Sequence, residues 1–227
     1  MQVIAMHGWA GDSGAWGPWS RAVMQRGWGW QSGERGYGAL EPVKPQWASE
    51  GPAKVVIGHS FGPHALPAEL LAQADAVVLL ASFGRFVPEG RPGRRLESAL
   101  AVMADQLRGQ GAEAMLQAFL AKAAFPADPG LLPHTLLEQP LGARGREKLQ
   151  ADLALLGATG GLPTGFPKGA RVLIVEAGQD QIVAQESRQA LRESLPHADW
   201  LLFQNAGHCL LETPVLAMVM GWLEALA

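Results

Sequence analysis

The stretch "VVIGHSFGPHA", residues 55–65, decides how this chain folds. An apolar, β-branched run ends in Gly58-His59-Ser60-Phe61-Gly62 and passes straight into residues that suit a helix. Strand, G-x-S-x-G, helix is the setting in which flanking glycines permit a sharp turn that lifts a serine hydroxyl off the sheet at a helix N-terminus. In a chain with 28 glycines the bare pattern also fits a structural turn. The strand and helix on either side favour Ser60 as a nucleophile over that reading.

Outward from this stretch, short apolar runs bounded by turn residues recur at 2–6, 76–81, 171–175 and 200–203, alongside 54–58 itself. Runs too short for helices and rich in Val, Ile and Leu suit strands buried on both faces of a parallel sheet. Between them lie helical stretches at 15–25, 63–73, 185–195 and 214–226, and the alternation predicts an α/β fold with a mostly parallel central sheet flanked by helices. A further strand near 28–31 is faint because "GWGWQSGERGYG" is rich in glycine. Pro67, inside the helix after Ser60, removes a backbone donor and predicts a kink or an early end.

About 85 residues separate the run at 76–81 from the next clear strand, and their patterning is helical only. Leu96, Leu100, Met103 and Leu107 form one apolar stripe, and Met115, Leu116, Phe119 and Leu120 a second. Residues 84–168 carry ten Lys or Arg and eight Asp or Glu, net +2, whereas the rest of the chain is net −5. The prediction is one domain over residues 1–227 with a basic helical cap inserted at about 84–168.

A serine needs a base held in one tautomer by an acid. In strand-turn-helix enzymes these follow in the order Ser, Asp or Glu, His, each on a loop after a later strand. His208, in "NAGHCLLETP" after the run at 200–203, meets that condition; His134 lies in the insertion and His197 in a polar loop entering a strand. For the acid, the loop after 171–175 offers Asp180, with Glu176 a rival at the strand's end. Oxyanion donors are expected from the N–H of Phe61, after the nucleophile, and from the N–H of Trp9 in "MHGWAG".

Composition narrows the remaining possibilities. A net charge of −3 gives a nucleic-acid partner no electrostatic support. Cys209 is the only cysteine, so an internal disulfide and a multi-cysteine metal site are excluded. No uncharged apolar run is long enough for a membrane span, and the first residues lack the features of a signal peptide. A monomeric cytoplasmic protein that needs no metal or organic cofactor is expected.

With these residues in place the chain resembles the α/β-hydrolase superfamily along nearly its whole length. The resemblance rests on His7-Gly8-Trp9, Gly58-His59-Ser60-Phe61-Gly62, Gly178 with Asp180, and Gly207-His208, in family order. Within the superfamily it is most similar to the pimeloyl-[acyl-carrier protein] methyl ester esterases of biotin synthesis, through "HGWAGDSGAW", "RGYGAL", "LLASFGRF" and "FLAKA". It departs from them at His59, where the best-known members have Trp, and the family's usual leading strands have no counterpart.

That resemblance implies a serine carboxylesterase acting on a pimeloyl methyl ester carried by acyl-carrier protein. Trp9, Phe61, Phe119, Leu120, Ala121, Lys122 and Ala123 are implied at the substrate, and Arg85, Arg91, Arg94, Arg95 and Arg108 as contacts to the acidic carrier. Alternatives are a general short-acyl carboxylesterase or thioesterase without a carrier partner, a C–C hydrolase or haloperoxidase-like enzyme, and a ligand-binding protein that keeps the pocket without turnover.

Overall fold

A computed structural model of the chain describes residues 1–48, 51–133 and 136–226. The strands are β1 (Gln2–Met6), β2 (Gly29–Gly33), β3 (Lys54–His59), β4 (Ala76–Leu80), β5 (Arg171–Ala177) and β6 (Asp199–Phe203). The helices are α1 (Gly17–Met24), α2 (Gly62–Ala65), α3 (Ala68–Leu71), α4 (Gly90–Arg108), α5 (Ala112–Ala124), α6 (Ala143–Gly157), α7 (Gln185–Ser194) and α8 (Val215–Glu224). All the strands pair in parallel in one sheet of order β2-β1-β3-β4-β5-β6.

Strand residues alternate between two cores, as the period of two requires. Val3, Ala5, Val55, Ile57, Val78 and Val175 pack with Trp16, Trp19 and Val23 around α1 and with Val215, Val219 and Leu223 of α8. Ile4, Met6, Val56, Val77, Leu79 and Ile174 face the other way, onto Leu70 and Leu71 of α3 and Leu191 of α7. Burial on both faces explains why β1, β3, β4 and β5 read as continuous apolar runs. The faint strand is real and is an edge strand: β2 alternates exposed and partly buried residues, a position where glycine is tolerated.

The expected helix at 63–73 is two short helices. Leu66 is extended at ψ 148° and α3 restarts after Pro67, as the missing donor and the ring's steric demand require. The helix expected from residue 15 begins as a 3-10 turn, Ser13–Trp16, whose Ser13 N–H donates to Glu34 Oε2 at 2.7 Å and whose Gly14 N–H donates to Asp12 Oδ1 at 2.9 Å. Between β4 and β5 the chain carries α4, α5 and α6. Leu107, Met115, Leu116, Leu149, Leu153 and Leu156 bury there with Trp9, Phe61 and Phe83 from the loops of the sheet edge. No helix among the described residues is long and apolar enough to cross a membrane.

Candidate active site

The chain leaves β1 for β2 on one side and returns to β3 on the other, so the order reverses between β1 and β3. Loops leaving the carboxyl ends of strands at such a point diverge and open a crevice. Those two loops carry His7-Gly8-Trp9 and Ser60. Gly8 packs against the serine: a Cβ there would stand 2.9 Å from Ser60 Cβ and 3.2 Å from His59 Nδ1.

Ser60 is almost fully buried and has φ 55°, a left-handed conformation that costs a non-glycine residue free energy. The turn is held from outside. The Ser60 N–H donates to Leu80 O at 2.9 Å, and Ser82 Oγ donates to the Ser60 carbonyl at 2.7 Å, both from the end of β4. Gly62 is required because a Cβ would lie 2.2 Å from Met6 O, so only glycine lets α2 start against β1. The other non-glycine residues at positive φ, Ala10, Ala81, Leu210 and Glu212, also lie in loops that follow strands, so strain gathers at this edge.

After β5 and β6, the loops are bonded to each other by Gly178 N–H to Phe203 O and Gln179 N–H to Ala206 O, both 2.9 Å. They bring Asp180 and His208 together: His208 Nδ1 lies 2.9 Å from Asp180 Oδ2, with the carboxylate fully enclosed. A carboxylate only accepts, so Nδ1 carries the proton and Nε2 presents its lone pair. Asp180 Oδ1 accepts from Ile182 N–H at 2.7 Å and Val183 N–H at 2.9 Å. Burial pushes the Asp180 carboxyl up, but the neighbouring His208 and these N–H groups outweigh it and hold it below the ordinary carboxylate range.

His208 is tied to the serine turn through His59. The His59 Nε2–H donates to the His208 carbonyl at 3.0 Å, and the two rings stand 5.0 Å apart. Burial, then the nearby His208, pull His59 down to about 4, so it is neutral at ordinary pH. Cys209 N–H donates to Ala123 O of α5 at 3.1 Å, which docks the His208 loop under the cap.

The Gly8 carbonyl accepts from His7 Nδ1–H at 2.9 Å and from Gly11 N–H at 3.2 Å. In a trans peptide the N–H points opposite to the carbonyl, so these bonds fix the direction of the Trp9 N–H. Among the described residues neither the Trp9 N–H nor the Phe61 N–H has an acceptor in the protein. Buried unpaired backbone donors are rare, and here two lie on the loops that meet at Ser60.

A cavity of about 380 Å³ adjoins these groups, lined by Gly8, Trp9, His59 and His208 and by Phe119, Leu120 and Ala123 of α5. The Trp9 ring meets Phe119 edge-on at 4.8 Å and donates its Nε1–H to Leu149 O of α6 at 2.9 Å. Of the expected substrate residues, Ala121 and Lys122 stand apart: both are exposed, because the helical period turns them away from the face that carries Phe119, Leu120 and Ala123. The Phe61 ring is buried in the cap cluster instead of lining the cavity, leaving its N–H as its contribution.

The rivals are placed elsewhere. Both Glu176 oxygens accept from Arg192 Nη1 at 2.6 Å. His197 is exposed, and His134 lies outside the described residues. Cys209 is no rival nucleophile, since burial and then the Asp180 charge push its thiol up to about 12. In the cap, Arg85 pairs with Glu89 and Arg108 with Asp105. Arg91, Arg94 and Arg95 are exposed on the first turns of α4 and form no ion pair among the described residues.

One group went unforeseen. Asp152 of α6 is fully buried and accepts from Arg35 Nε at 2.7 Å, Arg35 Nη2 at 2.5 Å and Tyr37 Oη at 2.7 Å, with Lys148 Nζ at 3.3 Å. Arg35 N–H also donates to His7 Nε2, and Glu34 lies 3.3 Å from the same nitrogen. A signal was available: Leu149, Asp152, Leu153 and Leu156 follow i, i+3, i+4, i+7, which puts a carboxylate inside an apolar stripe. Such a charge requires a buried partner.

The model of the alpha/beta hydrolase family matches residues 3–219. A search of curated proteins finds no matching sequence. Solved structures with the same fold include an enol-lactonase from Burkholderia xenovorans LB400, 15% identical over 99% of this chain and 90% of that one, with TM-score 0.72. An esterase from Exiguobacterium antarcticum is 16% identical over 100% of this chain and 90% of that one, with TM-score 0.69. A thermophilic esterase from Thermogutta terrifontis is 15% identical over 99% and 90%, also with TM-score 0.69. At these identities the likeness is one of fold.

Proposed function

The chain belongs to the alpha/beta hydrolase family, and from that premise we propose that it is a serine carboxylesterase. The observation that carries the reading is the His208–Asp180 pair, which fixes the proton on Nδ1 and leaves Nε2 free to act as a base, at the sheet edge that also carries the strained Ser60. Ser60 Oγ attacks the ester carbonyl as His208 takes its proton. The Trp9 and Phe61 N–H groups receive the oxyanion, and Asp180 stabilises the imidazolium. Protonated His208 then gives its proton to the leaving alcohol, and a water activated by the same nitrogen releases the acid. No step calls on a metal or an organic cofactor.

The finer assignment is to the methyl ester of a pimeloyl chain on acyl-carrier protein, hydrolysed in the cytoplasm by a monomer. An apolar cavity with Phe119, Leu120 and Ala123 in its wall supports an acyl chain of that kind. The cap arginines support the carrier. Arg91, Arg94 and Arg95 sit at the N-terminal end of α4, where positive charge opposes the helix dipole, and an acidic partner would relieve that.

Two measurements test this. A fluorophosphonate should label wild-type protein at Ser60 and leave His208→Ala unlabelled; labelling that survives His208→Ala would remove the triad. Hydrolysis of methyl pimeloyl-carrier protein should exceed that of p-nitrophenyl esters and fall with salt and with charge reversal at Arg94 and Arg95. Equal or better turnover of the free esters, indifferent to both changes, would leave a general carboxylesterase.

A further inference from the structure

The Trp9 and Phe61 N–H groups are each one end of a peptide unit whose other end is engaged. The Gly8 carbonyl, which shares a peptide with the Trp9 N–H, accepts from His7 Nδ1–H at 2.9 Å and from Gly11 N–H at 3.2 Å. The Ser60 carbonyl, which shares one with the Phe61 N–H, accepts from Ser82 Oγ at 2.7 Å. His7 and Ser82 are both buried, so water has little access to either bond. Among the described residues, each unpaired N–H thus stands opposite a buried side-chain donor that holds its carbonyl.

Ser82 reaches Ser60 through a second strained turn. Ala81 has φ 43°, costly for a residue with a Cβ, and its N–H is held by Val175 O at 2.8 Å. The residues on either side of it bracket the nucleophile: Leu80 O accepts from the Ser60 N–H, and Ser82 Oγ donates to the Ser60 carbonyl. On the other peptide, His7 is fixed from behind. A carbonyl only accepts, so Nδ1 of His7 carries a proton toward Gly8 O, while Nε2 meets the Arg35 N–H at 3.1 Å. Glu34, 3.3 Å from that nitrogen, accepts from the Ser13 and Gly36 N–H groups at 2.7 and 2.8 Å and so holds two loops around the ring.

We propose that Ser82 and His7 are positioning residues for the oxyanion hole, each aiming and strengthening one of its two donors through the carbonyl of the same peptide. This rests on the esterase reading for the place of the oxyanion. A peptide is planar, so a fixed carbonyl fixes the direction of the N–H on its far side. A hydrogen bond accepted at the carbonyl also polarises the peptide and makes its N–H a better donor. Both effects count most as charge moves onto the substrate oxygen, because a donor assists only when it is aimed at the place the oxyanion will occupy.

The test compares kcat/KM for a p-nitrophenyl ester and for its thiono analogue, in which sulfur replaces the carbonyl oxygen. Sulfur is a weak acceptor, so the hole assists the thionoester little. Ser82→Ala, which deletes one oxygen atom, should slow the oxygen ester about ten- to a hundredfold, short of the roughly 10²–10³-fold that removal of a whole donor costs. The ratio of oxygen ester to thionoester should fall about tenfold with it, and Ser82→Thr, which keeps the hydroxyl, should return most of that ratio. His7→Gln acts on the other peptide and is the second variant should Ser82→Ala fail to fold. Its amide can still accept the Arg35 N–H but leaves Gly8 O without its side-chain donor, so the same ratio should fall; His7→Asn, with an amide N–H near the Nδ1 position, should return it. Equal loss on both esters, the mark of a merely structural role, overturns the proposal, and so does no loss on either; both outcomes leave the esterase reading standing, because Ser60 still turns over. A wild-type protein that hydrolyses neither ester and takes no fluorophosphonate at Ser60 would remove the esterase reading and this inference together.

Discussion

The sheet edge and the cap meet at one site and are held there by different means. Around Ser60 the chain is strained and pinned mostly by main-chain bonds: Ser60 N–H to Leu80 O, Gln179 N–H to Ala206 O, Asp180 Oδ1 to two backbone N–H groups. The cap is joined to that edge by an apolar cluster and by side-chain contacts, Asp152 to Arg35 and Tyr37 and the Trp9 indole to Leu149 O. Backbone bonds within and beside a sheet fix atoms closely enough for proton transfer. Side chains spanning two layers hold a wall in place while its lining can change, which suits selection of substrate over chemistry. The contrast predicts that changes at the edge remove turnover with little effect on stability, and changes at the junction do the reverse.

The largest effect should come from Ser60→Ala. Among the described residues its Oγ forms no hydrogen bond, so deletion costs the fold little, while p-nitrophenyl ester turnover should fall by at least about 10⁴-fold at unchanged Tm. Residual activity within tenfold of wild type would mean that the nucleophile is elsewhere.

Asp180→Asn should follow at about 10⁴-fold in kcat, and the reason is local. The Ile182 and Val183 N–H groups need an acceptor, so the amide oxygen must stay at the Oδ1 position and the NH₂ must face His208. His208 Nδ1 would then have to accept, moving its proton to Nε2 and disabling the base. Loss of only a fewfold, with Tm unchanged, would show that the tautomer is not set by this residue.

Asp152→Ala tests the other half of the contrast. It leaves Arg35, Lys148 and the Tyr37 hydroxyl without their buried partner, a loss of about 3–5 kcal/mol, or about 10 °C in Tm for a chain of this size. In the protein that remains folded, KM should rise more than kcat falls. A fall in kcat as deep as that of Asp180→Asn would show that the cap junction also sets the chemistry.

What the sequence revealed divides along the same line. The strands, the places of Ser60, Asp180 and His208 just after strands and the break at Pro67 depend on neighbours within a few residues, so period and turn chemistry expose them. The contact of Asp152 with Arg35 joins positions 117 apart, and only the misplaced charge on an apolar stripe hinted at it. The stretch 119–123 shows the limit between the two. Its membership of the wall was readable by resemblance, but helical geometry, needing the axis of α5, decides that Ala123 faces in and Lys122 faces out. The bond from His59 to the His208 carbonyl has no local signature either.

His59 offers the smallest effect and tests how tightly the edge is knitted. Its ring faces His208, Asp180 and His7 and is held neutral with a folded value of about 4, against 6.5 for a free histidine. Between those values the unfolded chain binds a proton that the folded one refuses. Stability from this residue is therefore complete above pH 6.5 and is lost as pH falls toward 4, by up to about 3 kcal/mol. In His59→Gln the amide can still donate to the His208 carbonyl and does not titrate, so the curve of Tm against pH should flatten over that window. Glu34, which burial pushes up but its contacts with His7, Gly36 and Ser13 hold at about 2 against an ordinary 4.5, loses its contribution only as pH falls below about 4.5, and does so in both proteins. His64 is also held down, by its own burial, but it is common to both proteins and cancels in their difference. Parallel decline of the two proteins from pH 7 to 4.5 would show that the proton goes elsewhere. It would also reduce His59 to a spacer between the serine turn and the His208 loop.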